Sequence, residues 1–343
     1  MSILLATAQP ARAEGPLAVP PAGAYTGAYI DFGDTEDTVT LGAIQAFEQL
    51  VGKHQAIVAS SSYWGRGGFP TANVKIISDY GAIPLLYWSP WGPPYEQGKH
   101  VDPGPWKLRH IVAGDCDAYL DAWGAAARDF GHPVLVSFGC EPNSNWFPWA
   151  GSANGADTKN PDGTYAGPDL YKRAYRHAVD RVRAAGAHNV EWVFHANDDS
   201  HPDHKWNAMA EYYPGGDYAD WLGMSTYGQL TPGKDDWNDW EGVMDAPYKR
   251  LCALDPNKPV MLAEWGVGEF PESGSKAEFI HDAFAALNGG KYPRIKAAVF
   301  WHERWQNKDE TYSNLRVNSS PGALKAYRQG VANPFWLDHP PLR

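Results

Sequence analysis

The chain has 343 residues, 43% of them hydrophobic and 20% charged, and its formal net charge is -11. These values are typical of a globular protein with a large core, and no apolar run approaches the roughly 20 residues of a transmembrane helix. Clustered Lys and Arg are not seen, which disfavours a nucleic-acid partner. The 16 Trp and 18 Tyr residues favour a neutral ligand, because such rings pack well against the apolar face of a sugar.

The N-terminus contains Ala11-Arg12-Ala13, the small-x-small pattern of a signal-peptidase site. A basic n-region is missing and the apolar stretch is short. We interpret residues 1–20 as a truncated signal peptide, with a disordered lead as the alternative, and expect a secreted protein. The three cysteines are too few for a disulfide framework and do not identify the compartment.

From residue 21 onward, apolar runs alternate with segments of helical periodicity. The clearest helical segments are Leu41–Leu50, Cys116–Phe130, Leu170–Ala185 and Lys276–Leu287. The strand candidates are Ala24–Ile30, Gln55–Ala59, Ile83–Trp88, Pro133–Phe138, Val190–His195, Trp221–Thr226, Pro259–Ala263 and Ala297–Trp301. This order predicts parallel strands with right-handed crossovers, hence an α/β fold of the (β/α)8 TIM barrel type over residues 21–343, as a single domain.

Polar and aromatic residues stand at or just after the ends of several predicted strands. In TIM barrels these C-terminal strand ends form the active site, so the residues are expected at one mouth. They are Trp64, Trp88, Trp91, Glu141, His195, Tyr227, Glu264 and Trp301.

Two segments each place a glutamate after an apolar run and follow it with tryptophan: Glu141-Pro-Asn-Ser-Asn-Trp-Phe-Pro-Trp149 and Pro259-Val-Met-Leu-Ala-Glu-Trp-Gly266. Retaining glycoside hydrolysis needs two carboxyl groups about 5–5.5 Å apart, one protonated and one ionised. Closure of a barrel would bring Glu141 and Glu264 together. We expect Glu264 to stay ionised and Glu141 to have a raised pKa. A single such glutamate would more commonly be a solvated or ion-paired residue, whereas the pair indicates a glycosidase.

These segments resemble glycoside hydrolase family 26, the β-mannanase family of clan A, whose fourth-strand signature is His-Glu-Met-Asn-Gly-x-Trp-Phe-Pro-Trp. The similarity continues in Ala187–Phe194, Tyr212–Gly223 and Lys258–Gly266. By this resemblance, Glu141 would be the general acid/base and Glu264 the nucleophile. Tyr227 would hold the nucleophile by a hydrogen bond, and Trp301 would form the floor of the subsite for the reacting sugar.

Two positions depart from the family pattern. Cys140 replaces the histidine that precedes the acid/base, and Ser137 replaces an arginine four residues before that glutamate. The histidine helps to bind the reacting sugar in family mannanases. The replacement of this histidine by Cys140 is therefore expected to affect mannan specificity more than hydrolysis.

Other candidate residues have structural alternatives. Asn143 and Asn145 can bind sugar hydroxyls or hold the loop. Trp146 is the favoured sugar contact and Trp149 the favoured packing residue, while Trp88 fits either role.

The segment His195–His204 is rich in imidazoles and carboxylates, but its spacing matches no zinc signature. Most of these side chains are expected to face solvent, with His195 and Asn197 lining the cleft. We expect no metal and no cofactor. Glu303 could contact ligand, although a surface role is the commoner one.

The sequence thus predicts a monomeric, retaining endo-β-glycanase whose partner is a polysaccharide. β-1,4-Mannan is the first candidate substrate, with β-glucan and β-xylan as alternatives. A non-catalytic glycan-binding barrel is the competing class, and glutamates in both motifs argue against it.

Overall fold

The computed structural model describes residues 17–33, 36–98, 100–233 and 237–340. The barrel strands, numbered β1 to β8 in chain order, are Ala24–Ile30, Ile57–Tyr63, Ile83–Ser89, Val134–Phe138, Val190–Asn197, Trp221–Tyr227, Val260–Gly266 and Ile295–His302. Each pairs in parallel with the next, and β1 also pairs with β8, which closes the sheet. The prediction of a (β/α)8 barrel is confirmed.

Helices connect the strands on the outside of the barrel. In the described ranges they are, as α1 to α9, Leu41–Val51, Thr71–Asp79, Leu108–Ala113, Asp117–Phe130, Ala166–Ala184, Met209–Tyr212, Trp240–Cys252, Lys276–Asn288 and Pro321–Val331. Within those ranges, none of the helices is both long enough and apolar enough to cross a membrane. A short hairpin, β9 (Arg304–Gln306) and β10 (Tyr312–Asn314), follows β8, and β11 (Trp336–Leu337) pairs with β1.

The strands are buried on both faces, between the barrel interior and the helices. Every residue of β1, β3 and β7 is buried, which explains why these strands form nearly continuous apolar runs in the sequence. Glu264 is the only ionisable residue within β7. A carboxyl group costs free energy in such a setting unless it is hydrogen-bonded, so its presence indicates a function.

Local signals set the ends of the helices. Thr40 and Ser275 accept hydrogen bonds from backbone N–H groups in the first turns of α1 and α8, as N-caps do. Gly52 ends α1 with a φ of 74°, a left-handed conformation that glycine adopts without strain.

The predicted signal-peptidase site lies outside the described residues. Of the predicted lead, residues 17–20 are described. Leu17 is buried, and its backbone N–H donates a hydrogen bond to the Glu191 carboxylate. The domain's packed structure therefore includes Leu17.

Candidate functional site

A cleft of about 1480 Å³ opens at the C-terminal ends of the strands. Its size exceeds that of a typical small-molecule pocket, which is about 300–1,000 Å³. The lining includes five of the eight residues predicted at this mouth, namely Trp91, Glu141, Tyr227, Glu264 and Trp301, together with Cys140 and Trp146. A cleft of this volume can hold several sugar rings in a row.

Glu264 projects from β7 into the cleft and is held by Tyr227 of the neighbouring strand. The Tyr227 hydroxyl donates a 2.7 Å hydrogen bond to Glu264 Oε2, so the contact implied by the family resemblance is present. The pairing of β6 with β7 shifts register between Met224 and Ser225, which sets Ser225 opposite Glu264. This irregularity places Tyr227 of β6 and Glu264 of β7 close enough for their hydrogen bond.

Glu141 has an unusual backbone conformation just beyond β4. Its φ is 53°, in the left-handed region that residues with a side chain seldom adopt. The backbone N–H of Glu141 donates to the His195 carbonyl at 2.7 Å. The Trp146 indole Nε1 donates to Glu141 Oε2 at 2.8 Å. These contacts stabilise the strained backbone and direct the carboxyl group into the cleft.

The two carboxyl groups are buried together, and burial raises the pKa of both. Repulsion from Glu141 raises the pKa of Glu264 further, while hydrogen bonds from Ser225 and Trp146 lower that of Glu141. The expected contrast, with Glu264 ionised and only Glu141 raised, is not observed, because both groups are deeply buried. Two neighbouring like charges do not ionise together readily. The pair therefore retains a proton at pH values where ordinary glutamates have lost theirs.

Trp301 forms a rigid aromatic wall of the cleft. Its ring stacks on Tyr29 with centroids 4.0 Å apart and an interplanar angle of 17°. Its Nε1 donates to Glu303 Oε2 at 2.7 Å. Burial raises the pKa of Glu303 to about 8, and Glu303 also lines the cleft. Fixed on both sides, Trp301 presents a preformed surface for a sugar ring.

Glu36 is a further cleft carboxyl group, which the sequence analysis missed. It accepts hydrogen bonds from Ser61 Oγ at 2.6 Å and from the Tyr63 hydroxyl at 3.0 Å. Burial raises its pKa. Glu36 lies in a loop beyond β1 and belongs to no motif, so its sequence neighbourhood gives no signal of its position.

Trp88 lies outside the cleft, which corrects its prediction as a substrate contact. It is fully buried, stacks on Trp123 of α4 with centroids 4.4 Å apart, and donates to the Tyr119 hydroxyl at 3.2 Å. Side chains alternate along a strand, and Tyr87 takes the cleft side. Asn145 is exposed and is not among the described residues that line the cleft.

His195 lies beneath the cleft and not on its surface, which corrects the prediction that it lines the cleft. It is fully buried. Its Nδ1 lies 3.1 Å from Ser137 Oγ and its Nε2 lies 2.8 Å from Ser225 Oγ. Burial lowers the pKa of His195 to about 3, so the imidazole is neutral. Asn197, farther along β5, does line the cleft.

Cys140, His195 and Glu264 offer ligand atoms within 4.8 Å of one another, a donor set that metals can use. Both His195 nitrogens, however, are already in hydrogen bonds to serines, and Glu264 Oε2 accepts from Tyr227. Burial and the cleft glutamates raise the pKa of the Cys140 thiol, which disfavours the thiolate that metals bind. The cluster fits a hydrogen-bonded cleft floor better than a resident metal site.

Asn143 connects the loop after β4 to the loop after β5. Its amide donates to the Asn197 carbonyl at 2.9 Å and accepts from the Asn197 N–H at 2.8 Å. Its own carbonyl accepts from the His201 N–H and from the Asn207 amide. The side chain is fully buried, so Asn143 has a structural role and not a sugar-binding one.

We expect Asn143→Ala to lower the free energy of unfolding by about 2 kcal/mol, because it leaves buried backbone groups of Asn197 without partners. Urea titration measures the change, and Asn145→Ala is the matched control, since Asn145 is exposed. A loss for Asn143→Ala no larger than that of the control would contradict the role.

Known proteins are similar to this chain in sequence and in fold. The chain is 30% identical over 311 residues to endoglucanase H of Acetivibrio thermocellus, covering 87% of this chain and 31% of that protein. It is 27% identical over 246 residues to a mannan endo-1,4-beta-mannosidase of Bacillus subtilis, covering 71% of this chain and 58% of that protein. It therefore spans less than two thirds of either relative's length.

The crystal structure of the YdhT protein from Bacillus subtilis has the same fold, with a TM-score of 0.65 at 19% identity over 93% of this chain and 87% of that chain. A family model for glycosyl hydrolase family 26 matches residues 56–305. That range holds strands β2 to β8 and both cleft glutamates. The chain belongs to glycosyl hydrolase family 26.

Proposed function

We propose that this protein is a retaining endo-β-glycanase. The observation that carries the proposal is the buried pair Glu141 and Glu264 in the cleft, each hydrogen-bonded by one aromatic side chain. Glu141 gives its proton to the departing glycosidic oxygen while Glu264 attacks the anomeric carbon and forms a glycosyl ester. A water molecule then attacks that carbon, Glu141 takes its proton, and Glu264 leaves as a carboxylate.

The extent of the cleft supports cleavage within a chain. Besides the glutamate pair, the cleft is lined by Tyr63, Trp91 and Tyr95 in and beyond β2 and β3, and by Trp305 and Gln306 of the β9 hairpin. Aromatic rings beyond the reacting position can bind further sugars of a polymer. Such additional contacts favour the binding of a long chain over the removal of single terminal sugars.

β-1,4-Mannan is the first candidate substrate, on the strength of the resemblance and of the relative named mannan endo-1,4-beta-mannosidase. A β-glucan is the second candidate, favoured by two observations. The match to endoglucanase H covers more of this chain. Cys140 also stands where family mannanases have a sugar-binding histidine, and a thiol is a weaker and shorter hydrogen-bond donor than an imidazole.

The test is the release of reducing ends from β-1,4-mannan, mixed-linkage β-glucan, cellulose and β-xylan, with Glu264→Ala as the inactive control. We expect internal cleavage of mannan or β-glucan, and ¹H NMR should show the β-anomer as the first product. An α-anomer would indicate inversion. Tight binding of these polymers without release of reducing ends would instead establish a non-catalytic glycan-binding barrel.

We expect Cys140→His to lower kcat/KM on the best substrate by about tenfold or more, because overpacking costs about 1–3 kcal/mol. Cys140 is 7% exposed and lies against His195 and Glu264, so a larger ring would crowd the reacting sugar. Cys140→Ser, which keeps the size, is the control. Highest wild-type activity on plain β-1,4-mannan, improved further by Cys140→His, would show that the replacement does not alter specificity.

The proposed activity also supports our expectation of a protein that acts outside the cytoplasm. Long polysaccharides do not cross membranes, so an endo-acting enzyme must meet them where they are deposited. Detection of the protein in the culture medium or periplasm of its host would test this.

A further inference from the structure

Glu36 is held in one orientation at the edge of the cleft by four hydrogen bonds. Its φ is 56°, and two backbone hydrogen bonds stabilise this left-handed conformation. The Glu36 N–H donates to the Gly33 carbonyl at 2.8 Å, and the Glu36 carbonyl accepts from the Ser61 N–H at 2.9 Å. The Ser61 and Tyr63 hydroxyls fix the side chain through Oε2. The protein itself therefore aims this carboxyl group.

The second carboxyl oxygen of Glu36 is left available. Both hydroxyls bind Oε2, and within the described part of the chain no residue donates a hydrogen bond to Oε1 or forms an ion pair with Glu36. Arginines of nearby loops pair with other carboxyl groups, Arg66 with Asp37 at 3.3 Å and Arg316 with Asp31. Because a polar atom in a cleft needs a partner, Oε1 is a ready acceptor for a ligand hydroxyl.

Aromatic rings adjoin this carboxyl group. Tyr63, which holds Glu36, stacks on Tyr95 with centroids 5.7 Å apart and meets Trp91 edge to face at 5.2 Å. All three rings line the cleft, as Glu36 does. Rings that contact the apolar face of a sugar, next to a polar group that binds its hydroxyls, make a sugar-binding surface.

The strand order places Glu36 on one half of the cleft. Trp301 of β8 pairs with Tyr29 of β1, and Glu36 follows β1 and binds to β2. Glu141 follows β4, on the opposite side of the eight-stranded ring. Since the general acid protonates the departing oxygen, the departing part of the glycan lies toward β4. The part that stays on the enzyme, the glycone, then lies toward β8, β1 and β2.

We propose that Glu36 is a specificity-determining residue that accepts a hydrogen bond from a hydroxyl of the glycone. This role rests on the proposed function. The family model matches residues 56–305, so Glu36 lies outside the matched range. A carboxylate accepts hydrogen bonds and repels like charge, so the site fits a neutral glycan with a free hydroxyl at this position and disfavours a glycan built of uronic acids.

The first experiment measures kcat/KM for Glu36→Ala on two substrates, the best polymer and an activated aryl glycoside of a disaccharide from it. We expect a loss of about 10- to 100-fold on both, because the aryl glycoside keeps the glycone and lacks only the departing sugars. A loss on the polymer alone would overturn the assignment to the glycone. No loss on either substrate would overturn the proposal as a whole.

Glu36→Gln separates ligand binding from a structural role. Its amide oxygen can still accept from Ser61 and Tyr63, so only the atom at the Oε1 position changes. We expect kcat/KM to fall by about 3- to 10-fold, less than in Glu36→Ala, because hydrogen bonds to a charged group are about twice as strong as neutral ones. Urea titration should show wild-type stability. Wild-type kinetics in Glu36→Gln would mean a structural role and overturn the proposal.

Glu310→Gln is the matched control for this substitution. Glu310 also has a left-handed backbone, with a φ of 65°, and its N–H donates to the Asn307 carbonyl at 3.0 Å, as the Glu36 N–H does to Gly33. Its side chain is exposed and is not among the described residues that line the cleft. Its kcat/KM should equal that of the wild type.

The second experiment measures binding without turnover. Calorimetric titration of neutral oligosaccharides compares Glu264→Ala with the double variant that also carries Glu36→Gln, and the double variant should bind about 3- to 10-fold more weakly. Equal affinities, or no binding to either, would overturn the proposal. If the wild type cleaves no glycan but the affinities differ, the proposed function fails and the binding role of Glu36 stands. If Glu36→Ala does not fold, Glu36→Gln decides the question.

Discussion

Glu264→Ala is expected to reduce turnover on the order of 10⁴-fold or more, because the glycosyl ester cannot form without the carboxylate. Glycan binding should remain measurable, since most of the cleft surface is unchanged. Steady-state kinetics on the best polymer and a binding titration separate the two effects. Glu272→Ala is the matched control, because Glu272 follows the same strand but is exposed.

Azide distinguishes a lost nucleophile from general damage to the site. A small anion can enter the space left by the Glu264 carboxylate and attack an activated aryl glycoside from the same side. The product is a glycosyl azide of inverted configuration, identified by ¹H NMR. Rescue in Glu264→Ala and no effect on Glu272→Ala would support the assignment. Hydrolysis by Glu264→Ala at a rate close to the wild type would contradict it.

The barrel was predictable because its determinants are local. Strands such as Val260–Gly266 are buried on both faces and read as apolar runs, and the helices between them begin at ordinary capping residues such as Thr40. The positions of Glu141 and Glu264 could be predicted for the same reason, since each lies near the C-terminal end of a strand, Glu264 within β7 and Glu141 just beyond β4. Closure of a parallel sheet then brings the strand ends to one mouth.

The roles of Trp88 and His195 depend on information that the sequence does not contain. Trp88 and Tyr87 are neighbours on one strand, and only the register of the barrel decides which of them faces inward. His195 points into the barrel, but its side chain lies below the cleft and does not line it. Both errors concern the direction and depth of a side chain, which are set by packing against other strands.

The ionisation of the two glutamates was mispredicted for a related reason. A raised pKa was expected for Glu141, and an ordinary ionised state for Glu264. Burial is the main cause that raises both pKa values, and it is similar for the two carboxyl groups. Glu36, far away in sequence, also raises the pKa of Glu264. Repulsion between carboxyl groups that are distant in sequence can be recognised only once the fold brings the groups together.

Glu141→Gln tests which member of the pair supplies the proton. The amide cannot protonate a leaving group, so substrates with a poor leaving group, such as the polymer itself, should lose about 10²–10⁴-fold in rate. Gln still accepts a hydrogen bond from Trp146 through its carbonyl oxygen, so the loop geometry is expected to survive.

An aryl glycoside with a strongly acidic phenol as its leaving group needs no proton in the first step. Formation of the glycosyl ester from it should be far less affected in Glu141→Gln, and the ester should then accumulate, because the water that resolves it lacks a base. A pre-steady-state burst of phenol measures this directly. The alkaline limb of kcat/KM, which in the wild type reports loss of the Glu141 proton, should also disappear. Equal losses on both substrates with no burst would assign Glu141 a structural role, because only a proton donor distinguishes between leaving groups.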